Sequence, residues 1–262
     1  MTYETLTFEI ADGVATITLN RPDNANAMNR AMMYDLFQAA VHCDNNPDIR
    51  AVVLTAVGKM FCAGGDLKEF AGQGDAMPAF ITELATILHA AIARFQRMDA
   101  PLIVAVNGMA AGAGLSLAAA GDIVVAADDA AFVSAYTAAG ITPDGSATYF
   151  LAKHIGLMRA KELVLTNRRL SAREAVDWGL ITKAVPRDQL TATAKTLALE
   201  FANGPTKAYG GAKRLLLQAF SNTLETQLED ETVSIANLTR GHDGREGIEA
   251  FAARRKPQFN GQ

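Results

Sequence analysis

An apolar, β-branched run that breaks into a glycine turn and then a helix occurs twice in this chain, and that repeated unit constrains the fold most. AVVLTAV at 51–57 leads into FCAGGDL at 61–67, and LIVAVNG at 102–108 leads into NGMAAGAGLSLA at 107–118. Continuous apolar strands of this kind are buried on both faces, as inside a parallel sheet covered by helices. Glycine at the strand-to-helix junction leaves backbone N–H groups unpaired and lets a ligand approach the main chain. Each turn alone need do no more than reverse the chain. Two of them brought together aim two N–H donors at one oxygen, the arrangement that stabilises an oxyanion or enolate.

Around these units the patterning is that of an α/β protein. Residues 3–10 and 13–20 alternate apolar and polar about Asp12-Gly13 and predict a β-hairpin. A turn-rich loop at 20–29 precedes a helix near 30–43, with Met33, Leu36, Phe37 and Ala40 on one face. A strand at 50–56, a helix at 78–97, a strand at 102–106, a helix at 113–120 and a strand at 122–127 then alternate. The glycine-rich segment 70–77 is expected to be a mobile lid over a pocket. Beyond residue 150 the signal is helical at 157–165, 171–177, 188–203, 205–219, 222–239 and 243–253, with one short strand at 180–185. Ser171 and Glu174 have the spacing of a capping box. The expected organisation is an α/β core over 1–195 and a helical region over 196–262 that packs on the core or on another subunit.

A net charge of −4 without a basic stripe argues against nucleic-acid binding. No apolar run is read as approaching the ~20 residues that span a bilayer, so no membrane association is expected. The chain enters a strand directly from Met1 with no leader-like segment, and a cytoplasmic location is the expectation. The two cysteines, Cys43 and Cys62, form no framework. Cys62 lies in the first glycine turn, but no nearby acid or imidazole supports a nucleophile, and it reads as a small buried filler. His42, His89, His154 and His242 share no motif, read as structural or exposed, and no metal site is expected.

The loop Asn20-Arg21-Pro22 … Asn26-Ala27-Met28, the FCAGGDL and NGMAAGAG turns and the tail FAARRKPQF (251–259) together resemble the enoyl-CoA hydratase/isomerase (crotonase) superfamily, over about residues 5 to 259. The resemblance implies an α/β spiral of ββα units with a C-terminal helical trimerisation region. It also implies an acyl-CoA thioester substrate, no permanently bound cofactor, and a homotrimer or dimer of trimers. The implied oxyanion donors are the backbone N–H groups of Gly65 and Ala113. Coenzyme A is implied to lie along the 24–28 loop at Ala25 and Ala27 and along Ala63, Asp66, Leu67 and Lys68. Lys68 reads either as a phosphate contact or as a solvated surface lysine. Phe251 and Arg254 match tail residues that reach the CoA of a neighbouring subunit.

The departures from the family pattern carry the functional reading. Its hydratases use two glutamates, and those positions match Ser116 and Tyr136 here. Neither side chain replaces a carboxylate as the base that activates water, which argues against simple hydration of a 2-enoyl-CoA. The remaining acid is Asp144 in TPDGS (142–146), where several isomerases of the family place a proton shuttle. The run 130–149 and the tail resemble the ring-epoxide isomerase and Δ3,Δ2-enoyl-CoA isomerase group. By that resemblance Asp144 takes a proton from C2 and returns one at C4 of a dienolate, among apolar side chains, with Ser116 and Tyr136 shaping the pocket. Read locally, Pro-Asp-Gly-Ser is also strong turn or helix-cap chemistry. The group's PDxGG pattern is here Asp144-Gly145-Ser146-Ala147, without the glycine pair. Other readings keep the oxyanion site and change the chemistry to hydratase, hydrolase or dehalogenase. The dehalogenases use an aspartate near this position with aromatic and histidine partners that sequence alone does not identify. A non-catalytic acyl-CoA-binding homologue is a reading of another class, and dinucleotide binding fails at the third glycine. Asp122 resembles a structural acid of the family.

Overall fold

The computed structural model describes residues 2–262. The chain opens with the hairpin β1 (Leu6–Ala11) and β2 (Val14–Leu19), turning through Asp12 and Gly13, both at positive φ as a two-residue hairpin loop requires. Helix α1 (Arg30–Asn45) starts at Asn29, whose side chain accepts from the Met32 amide. Then come β3 (Ala51–Ala56), β4 (Met60–Cys62), α2 (Leu67–Ala71) and α3 (Met77–Arg97). They are followed by β5 (Leu102–Val106), β6 (Met109–Ala111), α4 (Ala113–Ala119), β7 (Ile123–Ala127) and β8 (Ala131–Val133).

The large sheet has the order β1-β2-β3-β5-β7-β10, the last strand being Lys183–Val185, and is parallel from β2 onward. Each of β3, β5 and β7 hands the chain to a short strand, β4, β6 or β8, of a second sheet, and the first two of these units then turn into a helix. This is the spiral of ββα units implied by the family resemblance. The second sheet itself is not legible in sequence, because strands of two or three residues are too short to show a period. Its turns stack through glycine. A Cβ on Gly108 would stand 2.1 Å from the Lys59 carbonyl oxygen, and one on Gly114 would stand 2.5 Å from that of Cys62.

Three local expectations change. Residues 70–77 form no open lid: α2 runs into a short 3₁₀ turn at Gly74–Ala76 and directly into α3, which begins with Pro78 in its first turn. The helix expected at 157–165 is the second half of α5 (Ala147–Thr166), whose two halves meet at Gly156 in a non-helical conformation. The span Gly74–Arg97 is long and apolar enough to cross a membrane by length and composition, contrary to the sequence reading. In the fold α3 buries Phe80, Leu84, Leu88, Ala91, Ile92 and Phe95 and packs on α1.

Strand β9 (Leu170–Ser171), α6 (Ala172–Trp178), β10 (Lys183–Val185), α7 (Leu190–Ala202), α8 (Thr206–Gln218), α9 (Leu224–Leu238) and α10 (His242–Ala252) complete the chain. The predicted capping box is present at Ser171 and Glu174. Helix α7 lies on β3, β5 and β7, and α8 packs on α3. A nearly buried ion pair ties α8 to the sheet: Lys213 Nζ lies 2.6 Å from Asp122 Oδ2 and also donates to the Phe95 and Ala100 carbonyls. The Leu102 amide donates to the same Asp122 oxygen. Burial pushes the Asp122 carboxyl up and the Lys213 ammonium down, in each case against the attraction between them. Removing one partner therefore leaves an uncompensated buried charge. Lys213→Met is expected to destabilise the fold by about 3 kcal/mol in urea unfolding, and adding Asp122→Asn to recover much of that loss.

Candidate active site

The two glycine turns meet. Met60 pairs with Met109 and Cys62 with Ala110 in parallel, which sets the Gly64-Gly65 turn against Gly112-Ala113. A Cβ on Gly64 would lie 3.1 Å from the Ala111 carbonyl and 3.4 Å from the Ala113 nitrogen. Gly112, at φ 53 and ψ −126, adopts a conformation essentially confined to glycine and starts the wholly buried α4. Neither the Gly65 nor the Ala113 amide donates to another group of the protein among the described residues. Both line one cavity of about 450 Å³ together with Met33, Phe70, Leu84 and Asp144. Two unpaired amides facing a mainly apolar cavity provide what a thioester oxygen needs when it gains negative charge. The Gly64 amide donates to Cys62 Sγ at 3.4 Å, and burial pushes the Cys62 thiol up to about 12. Cys62 is thus an inert support for the turn.

Ser116 and Tyr136 form one network with Asp144. The Tyr136 hydroxyl donates to Asp144 Oδ1 at 2.7 Å and lies 2.8 Å from Ser116 Oγ. Ser116 Oγ also donates to the Asp144 carbonyl at 2.9 Å. Burial, and then the neighbouring carboxylate, push the Tyr136 phenol well above its ordinary value, so it remains a neutral donor. Tyr136 thereby holds the Asp144 carboxylate and Ser116 the Asp144 backbone carbonyl, on another loop. The Asp144 side chain keeps 34% exposure, so it lies at the cavity wall and is less enclosed than expected. Its carboxylate caps no helix; its carbonyl closes a turn by accepting from the Ala147 amide at 3.1 Å.

His89 is the functional candidate that sequence reasoning missed. Its Nε2 accepts from the Gly145 amide at 3.0 Å and lies 3.9 Å from Asp144 Oδ2. An accepting Nε2 places the proton on Nδ1 and makes the ring neutral. No spacing motif links positions 89 and 144, and only the packing of α3 on the 142–146 loop joins them.

At the first position of the absent glycine pair a left-handed backbone is kept. Gly145 at φ 58 and Ser146 at φ 70 are both left-handed, so Ser146 keeps the backbone path that glycine would adopt without strain. Ser146→Gly is expected to raise stability by about 0.5–1 kcal/mol, read as a higher urea midpoint.

The segment expected to meet coenzyme A is stitched to the first turn. The Ala63 amide donates to the Ala25 carbonyl at 3.1 Å, and the Met28 amide to that of Gly64 at 2.7 Å. Arg21 donates to the Ala27 carbonyl and bonds Asp66 Oδ2 at 3.2 Å, while Asp66 Oδ1 caps α2. Ala25, Ala27 and Ala63 are half-buried, and Leu67 and Lys68 are exposed at the start of α2. Lys68 forms no ion pair among the described residues. Phe251 and Arg254 are exposed on the C-terminal tail and do not line this chain's cavity.

Known proteins resemble this chain in sequence and fold. Residues 9–262 match the family model for enoyl-CoA hydratase/isomerase. A Rhodobacter capsulatus protein described as a probable enoyl-CoA hydratase is 38% identical over 262 residues, all of both chains. The 1,2-epoxyphenylacetyl-CoA isomerase of Escherichia coli is 39% identical over 255 residues, 97% of each chain. The crystal structure of an enoyl-CoA hydratase from Polaromonas superposes with a TM-score of 0.92 at 34% identity, covering 97% of this chain and 99% of that one. With its spiral of ββα units and its paired glycine turns, the chain belongs to the enoyl-CoA hydratase/isomerase family, which acts on CoA thioesters without a permanent cofactor.

Proposed function

We propose that this enzyme is an acyl-CoA isomerase that shifts a double bond from C3 to C2, or rearranges a ring epoxide, on a CoA thioester. The observation that carries this is a single carboxylate, Asp144, at the wall of the cavity that both free amides face, with Ser116 and Tyr136 where a hydratase needs two acids. The Gly65 and Ala113 amides hold the thioester oxygen as it becomes an enolate. Asp144 Oδ2, which accepts no hydrogen bond among the described residues, takes the C2 proton while Tyr136 holds Oδ1. The same carboxyl then delivers a proton to C4, and the conjugated thioester leaves. One acid suffices for this cycle because the proton that is removed is the kind that is returned. Hydration would need a second group to activate water.

The position of His89 favours one further reading. A neutral imidazole beside the carboxylate can take a proton from water, so Asp144 could instead attack an aryl carbon, expel chloride, and be freed by hydrolysis, as in the family's dehalogenases. Tyr136 would then be the aromatic partner that this reading needs.

We also infer a homotrimer or dimer of trimers. Exposed Leu216 on α8, Phe220 in the turn after it, Leu224 and Ile235 on α9 and Phe251 on α10 support association through the helical tail. Light scattering is expected to give three or six chain masses.

With a 3-enoyl-CoA, absorbance of the conjugated product should rise with wild type. Asp144→Asn should lower kcat about 10²–10⁴-fold. Tyr136→Phe removes one hydrogen bond to a charged group and should lower it about tenfold to a hundredfold. Hydration of a 2-enoyl-CoA without isomerisation would overturn the reading. Chloride release from a chloroaryl-CoA, lost in Asp144→Asn, would establish the alternative.

A further inference from the structure

A second cavity of about 300 Å³, which Asp144 itself does not line, is lined by His89, Ile92, Gln96, Arg97, Ser146 and Phe150 among others. Helix α3 runs from one cavity to the other. Its residues Ile81, Leu84 and Ala85 line the acyl cavity, and Ile92, Ala93, Gln96 and Arg97 line the second. His89 stands between them at helical spacing, four residues after Ala85 and four before Ala93. Its imidazole is half exposed on the second cavity and lies 3.9 Å from Asp144 Oδ2. The other carboxylate oxygen is occupied by Tyr136.

We propose that His89 is the proton exit of the active site, the side chain through which Asp144 exchanges protons with water while substrate fills the acyl cavity. The proposal rests on the isomerase reading insofar as Asp144 is the base. After C2 is deprotonated, the new O–H bond of Asp144 faces covered substrate on one side and the imidazole on the other. For exchange, Gly145 N–H releases Nε2, and the gap closes by roughly 1 Å to the ~2.6–3.2 Å of a transferring pair. The O–H bond breaks with its electrons left on the carboxylate, and the Nε2 lone pair forms an N–H bond. The imidazolium then gives a proton to water in the second cavity. The reverse sequence delivers a solvent proton to Asp144. In the resting state the Gly145 hydrogen bond occupies the same lone pair, so exchange competes with direct return to C4 and is partial.

Isomerisation in D2O reads this out as deuterium per product molecule, a ratio independent of turnover rate. Wild type is expected to place solvent deuterium at C4 in part of the product. His89→Gln keeps an acceptor for the Gly145 amide but cannot ionise, and its product should carry at least severalfold less deuterium. Added imidazole, small enough for the second cavity, should restore the label. Equal labelling in wild type and His89→Gln, or no label in wild type, would overturn the proposal. A parallel assay separates it from the isomerase reading: exchange of the C2 hydrogens of hexanoyl-CoA in D2O, followed by NMR, needs the base, the two amides and a route from the base to solvent, but no double-bond shift. If wild type exchanges these hydrogens without isomerising a 3-enoyl-CoA, the isomerase reading fails while the proton exit stands or falls on whether His89→Gln stops the exchange.

Discussion

The site depends on the contact between two main chains that only glycine permits. Gly108 and Gly114 sit where a Cβ would collide with the backbone of the Lys59–Cys62 strand. That absence of side chains lets β4 and β6 pair, and the pairing sets residues 64–65 against 112–113. Both amides are positioned by backbone geometry, so they need no side-chain ordering when charge develops on a bound oxygen. The cavity they face is walled largely by apolar side chains, where a hydrogen bond to a charged oxygen is stronger than in water.

On this frame, the identity and placement of acids select the chemistry. Ser116 on α4 and Tyr136 after β8 are both buried, and each spends its hydroxyl on the loop that carries Asp144. Both side chains act as positioning groups for that loop. The loop they hold is itself strained at Ser146, whose left-handed backbone is retained without glycine's freedom. Strain at such a position is tolerated where surrounding contacts over-determine the conformation, and here three hydrogen bonds from Ser116, Tyr136 and Ala147 reach Asp144.

Much of the architecture was legible because it rests on local chemistry. The hairpin about Asp12-Gly13, the capping box at Ser171 and the buried strands β3, β5 and β7 follow from turn propensity, capping and continuous apolar runs. The second sheet was not, since β4, β6, β8 and β9 are two or three residues long and owe their strand character to neighbours far along the chain. Segment 70–77 misled through its glycines: they suggested a mobile loop, yet the residues continue helically into α3. The first half of α5 was hidden for a similar reason, because Gly156 breaks its periodicity.

The candidate site divides along the same line. The amino-acid sequence by itself determined that two glycine turns follow two buried strands, that Ser116 and Tyr136 carry no carboxyl, and that an acid, Asp144, follows in a turn-forming segment. These are properties of residue type and spacing. Only the tertiary structure decided which oxygen of Asp144 is held by Tyr136, that Ser146 preserves a glycine-like backbone, and that His89 stands beside the carboxylate. A separation of 3.9 Å between an imidazole on α3 and a carboxylate on a distant loop has no sequence signature. It exists because the buried face of α3 fixes the helix against the core and turns that residue toward the loop.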